Sequence, residues 1–353
     1  MPHDGRWREP VVLGVDFGGT KVALGVCDRD GRRLAAEVLE TRPDDGAPVV
    51  LDRALRAAAE LLAGLPSARL ESVGVSTIGV PTSDRVLLAP AIEGWEDVQL
   101  HRLVSAAFPD AAVAILTDVK AAAWAESRWG ALAGADPGLY LNLGTGLAAA
   151  TVIGGEVVLG RNGAAGEIGY NLLSASDVGI PLDRRAILED RVSGRALGLR
   201  HGSGAESEAA EVIRLAASGD EAAGELVDAM TTELSFHLVN LCLAVDPERV
   251  AVGGGLVGGW ALIEPGLRRA LETGVPFPPE LVPGRFPFDA PLLGALAAGF
   301  DAVAGAGTPV DLSGWAEGRL SDPTPDRPDH RGVDQSAATA DVPVRGQVKE
   351  MAP

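Results

Sequence analysis

Two aspartates stand at points of the chain where a carboxylate can bind a ligand or accept a proton. Asp16 follows the apolar run Val11–Val15 and Asp118 ends the run that starts at Val113, and both runs predict buried strands. An acid at the carboxyl end of a strand in an α/β sheet lies at the edge where ligands bind. Asp16 could therefore hold Mg²⁺ through a water molecule. Asp118 has two interpretations, a reacting carboxylate or the N-cap of the helix that follows.

A glycine turn separates the first predicted strand from a second one, Val22–Cys27. The turn consists of Gly18, Gly19, Thr20 and Lys21. Glycine allows backbone N–H groups to approach a phosphate closely, and the threonine adds a hydroxyl. The pattern differs from a Walker P-loop, whose glycines open a helix. Phosphate binding and a plain tight hairpin with a lysine nearby both fit this segment when it is taken alone.

The same pattern recurs in the middle of the chain. The apolar run Leu139–Leu143 leads into a second glycine turn, and Leu147–Ile153 continues as a strand. This second turn consists of Gly144, Thr145 and Gly146. An internal duplication is stronger support for a function than either copy alone. Two such hairpins that face each other across a cleft could grip one polyphosphate.

Two further segments contain candidate ligand-binding residues. A third group of glycines follows the predicted strand Arg249–Val252 and consists of Gly253, Gly254 and Gly255. Three glycines after a strand suit close backbone approach to a flat ligand such as an adenine ring. Glu167 lies among small and apolar residues in the segment Gly163–Tyr170. A ligand-facing carboxylate and a solvated acid are the two interpretations of Glu167.

Apolar periodicity predicts the elements that must position these residues. A third strand, Leu34–Leu39, and a parallel strand, Val73–Ser76, complete the first hairpin. Helices are predicted at 51–63, 119–129, 208–217, 222–245, 260–271 and 291–304. The connection 77–95 is long, and long loops tend to be functional. From about residue 305 to 353 the sequence is proline-rich and charged, which predicts a disordered tail.

Composition limits the classes of partner. The chain has 353 residues, more than one typical hydrophobic core holds, so two domains are expected. Its formal net charge of −19 argues against nucleic acid and anionic membrane as partners. Cys27 and Cys242 lie in apolar runs, which predicts buried free thiols and a cytoplasmic location. Neither an N-terminal leader nor a membrane-spanning run is expected.

Four motifs, in this order, resemble those of the ROK family of sugar kinases and regulators. They are VDFGGTK at Val15–Lys21, NLGTG at Asn142–Gly146, GEIG at Gly166–Gly169 and VGGG at Val252–Gly255. The resemblance implies an α/β, actin/hexokinase-like (ribonuclease H-like) fold of two domains with a central cleft for ATP and substrate. It implies an N-terminal domain of residues 1–117, completed by the helix at about 291–304, a C-terminal domain of residues 118–290, and a homodimer.

The resemblance also implies a role for each motif. ATP with Mg²⁺ would be the phosphoryl donor, held by Asp16 and the three glycine segments. Asp118 stands where the family has the aspartate of an NDAN-like motif and would be the general base. A sugar hydroxyl is a weak nucleophile, and a positioned carboxylate can accept its proton as the γ-phosphoryl group arrives. The acceptor would be bound by Gly79, Thr117, Asp118, Glu167, Tyr170 and Glu189.

The acceptor side departs from the family's pattern. Tyr170 stands in place of the histidine of the GEIGH motif, and residues 171–188 contain no cysteine. No zinc site is therefore expected, and packing or polar contacts must hold this loop instead. Thr117, Lys120 and Ala91 stand where the family has asparagines. The phosphate and adenosine side thus keeps the family's residues, whereas the acceptor side is altered at several positions.

These features favour an ATP-dependent kinase that acts on the primary hydroxyl of a hexose or hexose-like ring. Because the acceptor side is altered, a C7-cyclitol of the valiolone or valienone type is a leading candidate acceptor. Glucose and N-acylhexosamines are the alternative acceptors. A non-catalytic sugar or nucleotide sensor is the alternative of another class, and a structural or interaction protein is the third. The family's regulators carry an N-terminal helix-turn-helix, which the residues before Val11 are not expected to form.

Overall fold

Two five-stranded mixed sheets carry the fold in the computed structural model, which describes residues 9–201, 206–304, 310–312 and 315. The first sheet contains β1 (Glu9–Phe17), β2 (Lys21–Asp28), β3 (Arg33–Glu40), β4 (Ala68–Thr77) and β7 (Ala112–Thr117), and a separate hairpin contains β5 (Val80–Pro81) and β6 (Val86–Leu87). The strand order of the first sheet is β3-β2-β1-β4-β7. Antiparallel pairing joins β1 to β2 and β2 to β3, whereas β4 and β7 run parallel to β1.

The second sheet repeats this topology. It contains β8 (Gly138–Leu143), β9 (Leu147–Ile153), β10 (Glu156–Val157), β11 (Arg249–Gly253) and β12 (Glu280–Pro283). Its order is β10-β9-β8-β11-β12, with the first three strands antiparallel and the last two parallel to β8. The internal duplication predicted from the sequence is therefore confirmed, and the structure adds that corresponding strands of the two sheets have the same relative directions.

Eight helices are described together with the sheets. They are α1 (Ala47–Ala63), α2 (Leu100–Ala107), α3 (Asp118–Trp129), α4 (Gly194–His201), α5 (Glu206–Ala217), α6 (Glu221–Val245), α7 (Trp260–Gly274) and α8 (Ala290–Ala304). The six helices predicted from periodicity are all present. The short helices α2 and α4, the strand β12 and the β5–β6 hairpin were not predicted, because elements this short show little periodicity.

Helices α3 and α8 pack between the two sheets. Leu296 on α8 packs over Gly14 of β1, where a Cβ would lie 2.7 Å from the leucine Cγ. Val119 on α3 shares a buried cluster with Tyr140 of the second sheet. The helices meet at Gly294, where a Cβ would lie 1.8 Å from the carbonyl oxygen of Ala121. The start of α3, and with it Asp118, is thus fixed by a backbone contact that only glycine permits.

The division into domains stays a prediction. The proposed boundary after residue 117 falls between β7, the last strand of the first sheet along the chain, and α3. The helix α8 packs against β1 and β4 of the first sheet, as the predicted completion of the N-terminal domain requires.

The beginning of the predicted tail differs from the expectation. Val310, Leu312 and Trp315 are buried in the cluster that contains α8. The Trp315 indole N–H donates to the carbonyl oxygen of Gly31 at 2.9 Å, and Trp129 Nε1 donates to the Val310 carbonyl at 2.8 Å. The prediction of disorder from residue 305 is wrong for these residues. It is based on local composition, whereas these apolar side chains are buried by residues that are distant in sequence. The rest of the predicted tail lies outside the described residues.

Both cysteines are free and buried, which confirms that prediction. Burial raises the pKa of each thiol, Cys242 to about 12. Within the described ranges, no helix combines the length and apolar character that a membrane crossing needs.

Candidate active site

Asp16 lies buried at the end of β1, which pairs in parallel with β4. The register places it opposite Ser76, whose hydroxyl donates to Asp16 Oδ1 at 2.7 Å. Burial raises the pKa of Asp16 to about 7, the serine hydrogen bond lowers it, and the negative charge of Asp118 raises it further. Burying an ionised carboxylate costs free energy unless a cation or hydrogen bonds compensate. A buried carboxylate whose charge would be compensated by a nearby cation is compatible with the water-mediated Mg²⁺ role predicted for Asp16.

Asp118 is the first residue of α3, directly after β7. The N-cap of this helix is Thr117, whose Oγ1 accepts from the Lys120 backbone N–H at 3.3 Å. The N-cap interpretation of Asp118 is therefore wrong, and its side chain is available for other contacts. Asp118 Oδ1 accepts from the Val119 N–H at 2.8 Å.

Burial, together with the surrounding hydrogen bond and charges, places the pKa of Asp118 near neutrality. Burial raises this pKa to about 6, the Val119 N–H lowers it, the charge of Glu189 raises it, and the charge of Lys120 lowers it. A carboxylate with a pKa just below 7 is largely ionised at neutral pH and still has appreciable basicity. This combination suits a general base.

Lys120 is a buried cation in the first turn of α3. Its side chain is 2% exposed, and its Nζ lies 3.9 Å from Glu167 Oε1. Burial lowers the pKa of Lys120, whereas the charges of Glu167 and Asp118 raise it. A cation at a helix N-terminus opposes the helix dipole, so its position reflects the neighbouring carboxylates rather than helix stability. Sequence comparison identified Lys120 only as a replaced asparagine, not as the counter-charge of the site.

Glu167 and Glu189 come from two short turns that pack together. Burial raises the pKa of Glu167 to about 7, Lys120 lowers it, and Asp118 and Glu189 raise it. Glu189 Oε2 accepts from the Leu147 backbone N–H at 2.7 Å, directly after the second glycine turn. Burial raises the pKa of Glu189, and this hydrogen bond lowers it. Glu189 thereby connects the carboxylate cluster to the second predicted phosphate turn.

Tyr170 belongs to the same cluster. Burial raises the pKa of its hydroxyl to about 12, and the charges of Glu189 and Glu167 add to this shift. Gly79, in contrast, lies in the turn between β4 and β5 with φ of +75°, and its Cβ position is filled by Ala89 and the Leu87 carbonyl. Among the acceptor residues implied by the resemblance, the structure therefore groups Thr117, Asp118, Glu167, Tyr170 and Glu189. It places Gly79 in a turn whose contacts are with its own hairpin.

The second and third glycine segments lie against each other. Gly254 has φ of +91°, and a Cβ there would lie 2.5 Å from the Leu143 carbonyl and 2.8 Å from the Gly144 nitrogen. The Gly144 carbonyl also accepts from the Gly194 N–H at 2.7 Å, which joins the turn to the start of α4. A Cβ at Gly146 would lie 2.5 Å from Glu189 Oε2. The predicted phosphate turn thus touches the predicted adenosine segment on one side and Glu189, a predicted acceptor residue, on the other.

The first glycine turn has different neighbours. The Gly18 N–H donates to the Lys21 carbonyl at 3.0 Å, which closes the turn, and Thr41 Oγ1 donates to the Gly18 carbonyl at 2.7 Å. Lys21 Nζ donates to the Phe288 carbonyl at 3.0 Å and lies 3.5 Å from Asp289 Oδ1. The lysine is thus bonded to the segment before α8.

Two residues important to the geometry were not identified from sequence. Ser76 bonds Asp16, and the strand register would have indicated it once β1 and β4 were paired. Arg185 Nη2 donates to the Tyr170 carbonyl at 2.7 Å, between residues whose proximity no local pattern predicts. Within the described residues, no group of three or more His, Cys, Asp and Glu side chains has the arrangement of a metal site.

Comparisons with known proteins agree with this architecture. The ROK family model matches residues 12–297. A kanosamine kinase of Amycolatopsis mediterranei is 32% identical over 263 residues, which cover 72% of this chain and 84% of the relative. An N-acetylmannosamine kinase of Yersinia pestis is 30% identical over 254 residues, covering 70% and 84%.

A solved structure supports the same assignment. The ROK family glucokinase from Streptomyces griseus, in complex with glucose and AMPPNP, superposes with a TM-score of 0.66 at 29% identity. The superposition covers 81% of this chain and 98% of that one. The predicted actin/hexokinase-like α/β fold is therefore confirmed. The family match, together with the repeated sheets and the motifs that they position, shows that the chain belongs to the ROK family.

Proposed function

We propose that the protein is an ATP-dependent kinase that phosphorylates the primary hydroxyl of a hexose or hexose-like ring, with Asp118 as general base. One observation carries the proposal: Asp118 begins α3 beside Lys120, Glu167 and Glu189, at the end of the chain's β7 strand. The kinase class agrees with the names of the relatives, and AMPPNP in the related glucokinase supports ATP as donor.

The proposed reaction needs one proton acceptor and many fixed dipoles. As the acceptor hydroxyl forms its bond to the γ-phosphorus, its proton passes to Asp118, and the bond from γ-phosphorus to the ADP oxygen breaks. The backbone N–H groups of the glycine turns would orient the phosphates and stabilise the developing charge. Bound Mg²⁺, held through Asp16, would supply further neutralisation of phosphate charge.

The acceptor would lie among the clustered polar side chains. Glu167 and Glu189 would accept hydrogen bonds from ring hydroxyls, and the Tyr170 and Thr117 hydroxyls would donate or accept. Positioning of the primary hydroxyl against Asp118 is expected to supply much of the rate acceleration. Because several of these side chains differ from the family's asparagines and histidine, we propose a C7-cyclitol as leading candidate. Glucose and N-acylhexosamines are the alternatives.

An acceptor screen tests this proposal. Release of ADP would be measured by a coupled assay with glucose, N-acetylmannosamine, kanosamine and a valiolone-type cyclitol, each with MgATP. The proposal predicts ADP release with at least one ring, and kcat/KM highest for the cyclitol. Glucose far preferred over cyclitols would exclude the cyclitol assignment. Ligand binding without ADP release from any ring would exclude the kinase and indicate a sensor.

Three further expectations belong to the same proposal. The protein would act as a homodimer in the cytoplasm, and residues 1–117 with the helix at about 291–304 would form one domain and residues 118–290 the other. Size-exclusion chromatography with light scattering tests the oligomeric state directly.

A further inference from the structure

A single arginine holds together the loop that carries both acceptor carboxylates. Arg185 is half-buried, and its guanidinium donates to two successive backbone carbonyls on the opposite side of the loop. The Nη2 atom donates to the Tyr170 oxygen at 2.7 Å, and the Nη1 atom donates to the Asn171 oxygen at 3.3 Å. The residues between these points, 172–184, are an excursion whose two ends, which we call its neck, are bridged by this side chain.

The neck lies close to Glu167 and Glu189 on the two arms of the loop. Tyr170 is three residues after Glu167 and ends a 3₁₀ turn. The Tyr170 N–H donates to the Glu167 carbonyl at 3.2 Å. Arg185 is four residues before Glu189, which belongs to the next 3₁₀ turn, Leu188–Asp190. Each arm between the arginine and a carboxylate is therefore short and internally bonded.

At the inner end of the loop the two arms touch. A Cβ at Gly169 would lie 3.3 Å from the Glu189 Cβ and 2.6 Å from the Leu147 carbonyl. Leu188 and Ile168 are both buried in the core below. The two arms are thus joined by packing at the site and by Arg185 at the neck, so the arginine limits how far they can separate.

We propose that Arg185 is a positioning residue that sets the spacing of Glu167 and Glu189 for acceptor binding. The proposal rests on the function proposed above for these carboxylates. A guanidinium suits the task because its planar fork can bond two adjacent carbonyls at once, whereas an ammonium acts as a point charge. The excursion itself has its own bonds, with Asp177 Oδ2 accepting from the N–H groups of Leu173 and Ser174 at 2.9 Å each. Loss of the arginine would therefore loosen the neck without unfolding the tip.

Steady-state kinetics of the Arg185→Gln and Arg185→Lys variants test the proposal. We expect the acceptor KM of Arg185→Gln to rise by about tenfold to a hundredfold, because small displacements of binding groups have effects of this size. The KM for ATP and the thermal midpoint should stay close to wild type. Arg185→Lys should recover part of the loss. Arg184→Gln is the matched control, since Arg184 is exposed and its side chain makes no described contact.

Hydrogen exchange separates this proposal from the kinase function. Amides of Tyr170 and Asn171, which bond within the turn, should exchange faster in Arg185→Gln, whereas amides of β1 should not change. Faster exchange in a protein that phosphorylates no ring would support the structural role of Arg185 and reject the proposed kinase function. The positioning role of Arg185 would be overturned by an unchanged acceptor KM in an active enzyme, by unchanged exchange at the neck, or by equal changes in both KM values.

Discussion

Replacement of Lys120 by methionine tests the electrostatics of the proposed acceptor site. The change keeps an unbranched side chain of similar length and removes its charge. Lys120 lowers the pKa of both Asp118 and Glu167, which stand at about 6 and about 7. Removing the cation raises both values, so both carboxylates are protonated over a wider range of pH. The base must be ionised to accept a proton. As the pH is lowered, the variant should therefore lose activity at a higher pH than the wild type does.

For Glu167, the carboxylate that pairs with Lys120, an upper bound on the pKa change follows from the separation of the two charges. At the 3.9 Å between Lys120 Nζ and Glu167 Oε1, unit charges interact by about 4 kcal/mol when the effective dielectric constant is about 20. That energy corresponds to about three pKa units at about 1.4 kcal/mol per unit, which is an upper bound. Glu167 is 22% exposed, so solvent screens part of the interaction. We expect the acid limb of the pH profile to move upward by about one unit or more.

The pH dependence of kcat/KM for the acceptor measures this shift, since it reports ionisations of the free enzyme. In Lys120→Met the acid limb should move upward and the rate should approach that of the wild type at alkaline pH. Lys120→Arg, which retains the charge, is the control and should keep the wild-type limb. An acid limb that stays in place in a folded Lys120→Met variant would refute the electrostatic role of Lys120.

Two further variants test the fold that supports the site. Burial raises the pKa of Asp16 from 3.8 to about 7, so the folded protein binds this proton more tightly and stability falls as pH rises through that window. Asp16→Asn should therefore raise the unfolding free energy at pH 8 by up to about 4 kcal/mol but not at pH 4; equal melting curves at pH 8 would contradict this. Gly294→Ala should destabilise by about 1–3 kcal/mol and lower activity, because its Cβ would lie 1.8 Å from the Ala121 oxygen at the start of α3. Gly224→Ala in α6, where no atom lies within 4 Å of the Cβ position, should be neutral or stabilising, and a similar loss in both variants would refute the close-contact argument.

Local patterns were sufficient to predict the framework of this protein. Apolar runs interrupted by glycine predicted β1, β2, β8 and β9, because a buried strand and a tight turn each have a strong local composition. The position of Asp118 after an apolar run predicted its place at a strand end. Its use of Thr117 as the helix cap needed the structure, since either residue type can cap a helix.

The contacts that tune the site depend on residues far apart in sequence. Lys120 meets Glu167 across 47 positions, and Asp16 meets Ser76 across 60. Arg185 bonds backbone carbonyls, which every residue possesses, so no residue type at the other end signals the contact. Trp315 packs under Gly25 from a segment whose composition indicates disorder. The sequence left open what holds the loop in place of zinc, and the Arg185 neck is the structural answer that we propose.

The proposed kinase reaction depends on Asp118 removing the acceptor proton during phosphoryl transfer from ATP. Transfer of labelled γ-phosphate from MgATP to the best acceptor, compared between wild type and Asp118→Asn, tests it most directly. We predict that the variant binds ATP with unchanged affinity and transfers phosphate about 10²–10⁴-fold more slowly, whereas Asp110→Asn, at an exposed position, matches the wild type. Transfer by Asp118→Asn at the wild-type rate would contradict the account.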